Sequence, residues 1–198
     1  MISFEESGMK FVFADDDCYC VEHDPLVTKG CDSSSRNLKA CECVSVINGR
    51  HCFIEAKSSS PRGPNGSVSD VKLNDAPLPD TWRVYDNYRT FLRDISQKFT
   101  DSLAIIQAVG AGRHGADRAK TLGKVGGKIS WGAVRFILIL NIKVAPGKAV
   151  EMDGLQNLQD ALKGEMRPFL KLWNIPDTAV KVVTPEQAAK VLGVPVAL

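Results

Sequence analysis

The pattern of apolar and polar residues on either side of Asn48-Gly49 predicts a β-hairpin over residues 41–57. Two runs rich in β-branched and apolar side chains flank this dipeptide. Asn-Gly between such runs is the strongest short-range hairpin signal, because both central residues of the turn must adopt positive φ. A two-residue turn also determines the register, and counting outward from it places Glu42 opposite Glu55.

The paired glutamates of this hairpin require a balancing charge. Like charges directly opposite each other on two strands are destabilising. Lys57 lies two residues after Glu55, so it projects from the same face and is diagonal to Glu42. A divalent cation such as Mg²⁺ is the natural candidate for the balance, with Lys57 as a second source of positive charge. The alternative is a solvated outer face on which the two glutamates and the lysine lie near water.

Two short strands are predicted before the hairpin, over residues 11–13 and 18–22. Alternation along the second strand puts Cys18, Cys20 and Glu22 on one face. Glu22 is therefore a candidate third carboxylate near the hairpin, and a third metal ligand. The alternative is a surface glutamate at the end of a strand.

The elements after the hairpin alternate between helix and strand. Apolar side chains recur every three or four residues over 81–109, which predicts a long helix. The near-continuous apolar run over 134–143 is typical of a central strand covered on both faces. A second amphipathic helix follows Asp153, with Pro168 expected to kink or divide it, and a short strand over 179–183 precedes a final capped helix. The pattern predicts an α/β fold with a mixed central β-sheet flanked by helices.

Two segments carry no clear element. Residues 58–80 contain repeated proline and glycine, and such a long irregular stretch is expected to be either a lid over the hairpin or plainly flexible. Residues 110–130 are glycine-rich and basic. They contain a G-x-G-x-x-G spacing, but the preceding segment reads as a helix. No acidic residue occurs between Asp117 and Glu151 to hold a ribose, which argues against a dinucleotide site. A mobile basic loop that contacts phosphates and a solvated linker are the alternatives there.

Composition and charge suit a soluble globular chain. The 198 residues are 44% hydrophobic, so one domain spanning residues 1–198 is expected. The net charge of +2 is unevenly distributed, with 13 acidic and 8 basic residues over 1–80 but 12 basic and 4 acidic residues over 81–150. This division suits a site at which a metal ion and a polyanion meet.

The sequence also bears on the compartment. Its longest apolar run, residues 136–140, is far shorter than a membrane span. The N-terminus has no apolar stretch after a basic start, so no signal peptide is visible. A cytoplasmic location with reduced cysteines, and no membrane partner, is therefore expected.

The stretch FIEAK at residues 53–57 follows an acidic residue on the preceding strand and precedes a helix and a buried strand. In this arrangement it resembles the PD-(D/E)xK nuclease superfamily. The resemblance implies a restriction-endonuclease-like core over residues 11–145 and a C-terminal helix-strand-helix extension over 146–198. Glu42 stands where the superfamily usually has aspartate, and Asp32, in a predicted loop, is a competing candidate for that position.

The superfamily's chemistry supplies expected roles for these residues. In its members two acids hold one or two Mg²⁺ or Mn²⁺ ions, and the lysine helps to position or activate water for phosphodiester cleavage. Carried over here, Glu42 and Glu55 are metal ligands and, with Lys57, the catalytic residues. Gln97 and Lys98 of the long helix are further candidates for lining the site, as polar residues of the matching helix do in some relatives, with a surface position as the alternative.

The resemblance therefore implies a metal-dependent nuclease that hydrolyses phosphodiester bonds in DNA or RNA. Small nucleases of this kind often pair as homodimers. Two alternatives stay open: a nuclease-like binding module without catalysis, and a structural or interaction protein stabilised by zinc. The zinc alternative depends on six cysteines and two histidines in the first 52 residues, namely Cys18, Cys20, His23, Cys31, Cys41, Cys43, His51 and Cys52.

Overall fold

The computed structural model describes residues 1–28, 38–58, 78–141 and 152–198, without the side chains of 78–86, 152–153 and 191. The competing acid Asp32, the cysteine Cys31 and nearly all of the predicted lid lie outside the described residues. The strands are β1 (Ile2–Glu6), β2 (Met9–Phe13), β3 (Cys18–Tyr19), β4 (Cys43–Ile47), β5 (Arg50–Lys57), β6 (Arg135–Leu140), β7 (Val180–Val183) and β8 (Val196–Ala197). The α-helices are α1 (Pro25–Thr28), α2 (Leu78–Gly110), α3 (Ala116–Lys120), α4 (Met152–Leu172) and α5 (Pro185–Leu192).

A five-stranded mixed sheet organises the fold. Its strand order is β3-β4-β5-β6-β7. The pairs β3–β4 and β4–β5 are antiparallel, whereas β5–β6 and β6–β7 are parallel. The parallel pairs need crossover connections, and α2 and α4 lie in those two connections. The predicted α/β class with a mixed central sheet is confirmed.

The hairpin of β4 and β5 has the predicted turn and register. Asn48 and Gly49 have φ values of 51° and 72°, as a two-residue turn requires. Pairing runs from Ile47 opposite Arg50 to Cys43 opposite Ile54. Because β4 begins at Cys43, the predicted pair of Glu42 with Glu55 lies outside the ladder.

Strand β6 is covered on both faces, as its apolar run predicts. Phe136, Leu138 and Leu140 belong to the core cluster that includes the buried side chains of α2 and α4. Ile137 and Ile139 belong to a second cluster, which includes residues of β1, β2 and α5. The central sheet therefore separates a helical layer from a layer built of a small sheet and α5.

The long helix α2 extends over the predicted segment and presents the predicted stripe to the core. Leu92, Ile95, Phe99 and Leu103 are buried. The Phe99 ring lies 5.4 Å from the Phe136 ring of the central strand. This contact fixes α2 across the middle of the sheet.

The small sheet, in the order β1-β2-β8, was only partly visible in the pattern. Residues 2–6 form β1, which pairs antiparallel with β2. The two-residue strand β8 pairs antiparallel with β2. It follows the predicted capped helix α5, at whose start Thr184 and Gln187 form a capping box.

Three local predictions are wrong. The strand predicted over 18–22 ends at Tyr19, and Glu22 lies in a 3₁₀-helix (Val21–His23). Asp24 stops the strand, because its carboxylate accepts hydrogen bonds from the Tyr19 hydroxyl and the Leu26 N–H, each at 2.7 Å. Pro168 does not divide α4. Buried side chains on either side of it, Met166 and Leu170, hold the helix against the core and offset the hydrogen bond that proline cannot donate.

The third wrong prediction is the solvated linker over 110–130. This segment forms α3 and a 3₁₀-helix (Gly123–Gly126), and it buries Leu122, Val125 and Ile129. All three belong to the core cluster that contains the buried side chains of α2. Within the described parts of the chain, no helix is both long enough and apolar enough to cross a membrane.

Gly123 offers a test of this packing. It has φ of +53°, and a Cβ there would lie 2.9 Å from the backbone oxygen of Asp16, whereas Gly112, with φ of +71°, would have open space. Both Gly123→Ala and Gly112→Ala incur the left-handed strain of about 1–2 kcal/mol. We expect only Gly123→Ala to lower the free energy of unfolding in urea by more than this strain. Equal losses would contradict the close approach to Asp16.

Candidate functional site

The site begins with two charged residues at the end of β5. Glu55 and Lys57 project from the same face as Phe53, because alternate strand residues share a face. Phe53 is part of the core under α2, so the same alternation carries the Glu55 carboxylate into the interior. Glu55 is fully buried, with 0% of its surface exposed, and Glu42 is 3% exposed.

Glu42, Glu55 and Lys57 lie together, as the register predicts. The Lys57 Nζ atom is 2.7 Å from Glu55 Oε1 and 3.6 Å from Glu42 Oε1. The predicted solvated face is wrong, since both carboxylates are buried. The Lys57 side chain is 31% exposed, so it lies between the buried acids and the solvent.

Lys98 brings a second ammonium group from α2. Its Nζ atom is 2.7 Å from Glu55 Oε1 and 3.8 Å from Glu42 Oε1. Both lysines therefore use the same oxygen of each acid. Gln97, the other helix candidate, instead donates a hydrogen bond to Asp101.

The second oxygen of each acid is left open. Glu42 Oε2 and Glu55 Oε2 are buried and have no hydrogen-bond partner among the described residues. A buried polar atom without a partner costs about 1–3 kcal/mol, and more when it is charged. Two such atoms in adjacent acids call for a ligand.

The protonation of the acids follows from this environment. Burial raises the pKa of Glu42 to about 7, the neighbouring Glu22 carboxyl raises it too, and Lys98 and Lys57 oppose the rise. Burial and the charge of Glu42 also raise the pKa of Glu55. Although burial alone lowers the pKa of Lys57, the Glu55 carboxylate outweighs it and the pKa is raised. Lys57 is therefore a cation at neutral pH.

Glu22 approaches the site from the 3₁₀-helix that replaces the predicted strand. Its carboxyl raises the pKa of Glu42, so it lies near that acid, and its side chain is 38% exposed. The buried Asp24 anchors this segment, because it accepts hydrogen bonds from Tyr19 and from the Arg118 guanidinium of α3. Glu22 is thus a rim residue next to Glu42.

The donor set indicates which metal the site suits. In the described part of the chain, no group of three or more His, Cys, Asp or Glu side chains is arranged to hold a metal ion, so Glu22, Glu42 and Glu55 do not form a three-ligand cage. Mg²⁺ is commonly bound by one or two carboxylates and retains several waters. The two open Oε2 atoms fit that requirement.

The cysteines present no zinc cage in the same part of the chain. Cys18, Cys43 and Cys52 are buried in the apolar cluster beneath the small sheet. Burial raises the pKa of Cys43, and that of Cys52 to about 11, so in this structure they are thiols. They pack as small apolar side chains.

The glycine-rich basic segment lies at the other end of β5. His51 Nε2 is 3.1 Å from the carbonyl oxygen of Val125, and the four residues from His51 to Glu55 span roughly 13 Å of strand. Two of its basic side chains are engaged locally, Arg118 with Asp24 and Lys124 with Asp17. The segment is therefore not part of the carboxylate site.

Comparisons with known proteins supply no further assignment. No family model matches the chain, and no curated protein or solved structure matches it significantly. What the site does must follow from its own residues.

The raised pKa of Glu42 predicts a pH-dependent stability. Between its ordinary value of 4.5 and the folded value of about 7, the native chain binds more protons than the unfolded chain, so the free energy of unfolding falls as pH rises from 5 to 8. Each pKa unit corresponds to about 1.4 kcal/mol, so the loss reaches about 3 kcal/mol.

We expect Glu42→Gln to flatten this dependence in urea unfolding at pH 5–8 with chelator present. The exposed Glu186→Gln variant, 77% exposed in the wild type, should keep the wild-type slope. A Glu42→Gln slope equal to that of the wild type would contradict the raised pKa.

Proposed function

We propose that this protein is a metal-dependent, nuclease-like hydrolase of phosphodiester bonds in nucleic acid, with a restriction-endonuclease-like core. One observation carries the proposal: two buried carboxylates, each with an unpaired oxygen, lie beside two lysine ammonium groups at the end of β5. Carboxylate oxygens and a nearby cation are what metal-assisted phosphodiester hydrolysis uses.

The element order around the site supports the core assignment. An antiparallel hairpin carries the acids, a helix follows, and the next strand returns parallel to the second strand of the hairpin. This is the order that the resemblance implies for residues 11–145. The strand β7 and the helices α4 and α5 belong to the C-terminal extension.

Each residue of the site has a distinct part in the proposed reaction. Glu42 and Glu55 would hold the ion through their open Oε2 atoms. A bound Mg²⁺ or Mn²⁺ ion would lower the pKa of water and neutralise charge on the phosphate. Lys57 is cationic and partly exposed, so it would stabilise the developing negative charge on the phosphate and orient the attacking water.

A specific observation favours the catalytically inactive binding module as the second candidate. Lys57 and Lys98 already contact both carboxylates, so two ionised acids are neutralised by two ammonium groups without a metal ion. A chain of this kind would hold nucleic acid without cleaving it. Metal binding separates the two candidates.

The first test is a calorimetric titration with Mn²⁺. We expect the wild type and the exposed Glu186→Gln control to bind the ion and Glu55→Gln to lose binding, because the amide removes one of the two carboxylates. The absence of binding in the wild type would contradict the metal-dependent function and favour the binding module.

The second test is cleavage of single- and double-stranded DNA and RNA with Mg²⁺. We expect Lys57→Met to lose cleavage by about 100-fold or more, as removal of a charge-stabilising group typically does, while it still binds Mn²⁺. Lys190→Met, at a lysine that is 75% exposed, should cleave like the wild type. Metal binding without cleavage of any of the four substrates would remove the catalytic proposal.

A further inference from the structure

Lys98 reaches away from the acids of its own helix. Asp94 and Asp101 lie four residues before it and three after it, where a helical lysine ordinarily finds partners. Asp94 instead contacts Lys39 Nζ at 2.6 Å, and Asp101 accepts a hydrogen bond from the Lys39 N–H at 3.0 Å. The Lys98 ammonium lies 2.7 Å from Glu55 Oε1.

The position of Lys98 on α2 restricts where its ammonium group can go. Ile95, Phe99 and Ser102 around it are buried, so its alkyl chain starts at the edge of the core face. Its side chain is 22% exposed. The ammonium group is therefore held at the margin of the carboxylate site and is not free in solvent.

The two sides of the acid pair differ in their neighbours. The Oε1 atoms face both lysines, at 2.7 Å for Glu55 and at 3.6 and 3.8 Å for Glu42. The Oε2 atoms have no partner in the described part of the chain. One side of the pair faces two cations, and the other side has no partner among the residues described.

Charge limits how many ions the open side can accept. With both acids ionised, the two lysines make the four-residue site neutral. One divalent ion brings it to a charge of two, which a substrate phosphate partly offsets. A second divalent ion would lie against the two ammonium groups, and uncompensated charge in a buried site is costly.

We propose that Lys98 is a resident cation that takes the place of a second metal ion, so that the site accepts a single divalent ion at the Oε2 atoms of Glu42 and Glu55. The inference rests on the proposed function, because it concerns the metal site of that reaction. In this proposal Lys98 is a positioning residue that determines how many divalent ions the site binds.

The test uses Mn²⁺ titration by calorimetry, with free Mn²⁺ followed by electron paramagnetic resonance, on the wild type and three variants. We expect one ion per chain in the wild type, in Lys98→Arg, which keeps the charge, and in the surface control Lys190→Gln. We expect Lys98→Gln to bind a second ion. Its first ion should bind about tenfold more tightly or better, equivalent to about 1.4 kcal/mol, because a competing cation has gone.

A stability measurement gives a readout independent of activity. In chelator, Lys98→Gln should unfold at lower urea than Lys190→Gln, because an ionised acid pair has lost half of its compensation. Saturating Mn²⁺ should restore the midpoint. A Lys98→Gln midpoint equal to that of Lys190→Gln would overturn the proposal.

The titration also separates this inference from the function on which it rests. Two ions in the wild type, or unchanged binding in Lys98→Gln, would overturn the role of Lys98 and leave the metal-dependent function standing. No binding in either protein would overturn both. Binding by Lys98→Gln alone would overturn the single-ion site in the native chain and favour the binding module.

Discussion

The burial of the Glu55 carboxylate is the constraint on which the site depends. Glu55 lies on the same face of β5 as Phe53 and Lys57, and α2 covers that face. Its charge must therefore be balanced inside the protein. Alternation along β5 supplies Lys57, and the crossover helix supplies Lys98. The hairpin adds a second acid at the same place. The position of α2 against the sheet is thus tied to the electrostatics of the site as well as to its apolar contacts.

Much of the site could be predicted from the sequence because its geometry is local. The turn at Asn48-Gly49 needs positive φ, and that requirement alone sets which residue of β4 faces which residue of β5. Glu42, Glu55 and Lys57 then come together by counting along two strands. The helix α2 and the buried strand β6 are equally local, because each is a long and regular pattern of apolar side chains.

The parts that were not predictable depend on contacts between distant segments. Lys98 lies at helical spacing from Asp94 and Asp101, so the sequence is equally consistent with surface pairs on α2. Only the packing of α2 on the sheet directs it to Glu55. The same holds for Glu22. Its segment is anchored by Asp24, which accepts a hydrogen bond from Arg118 in a distant part of the chain. The two-residue strand β8 is too short to show an alternating pattern, and it forms by pairing with the edge of β2.

The unpaired oxygens favour a functional interpretation of this site over a structural one. A buried ion-pair cluster is a poor means of stabilising a fold, since apolar side chains of similar volume often stabilise it equally well or better. When such a cluster persists, its polar atoms are expected to be hydrogen-bonded. Here the lysines crowd onto one oxygen of each acid and leave the other without a partner. Packing alone does not explain that asymmetry, and it is the arrangement that the proposed cation site needs.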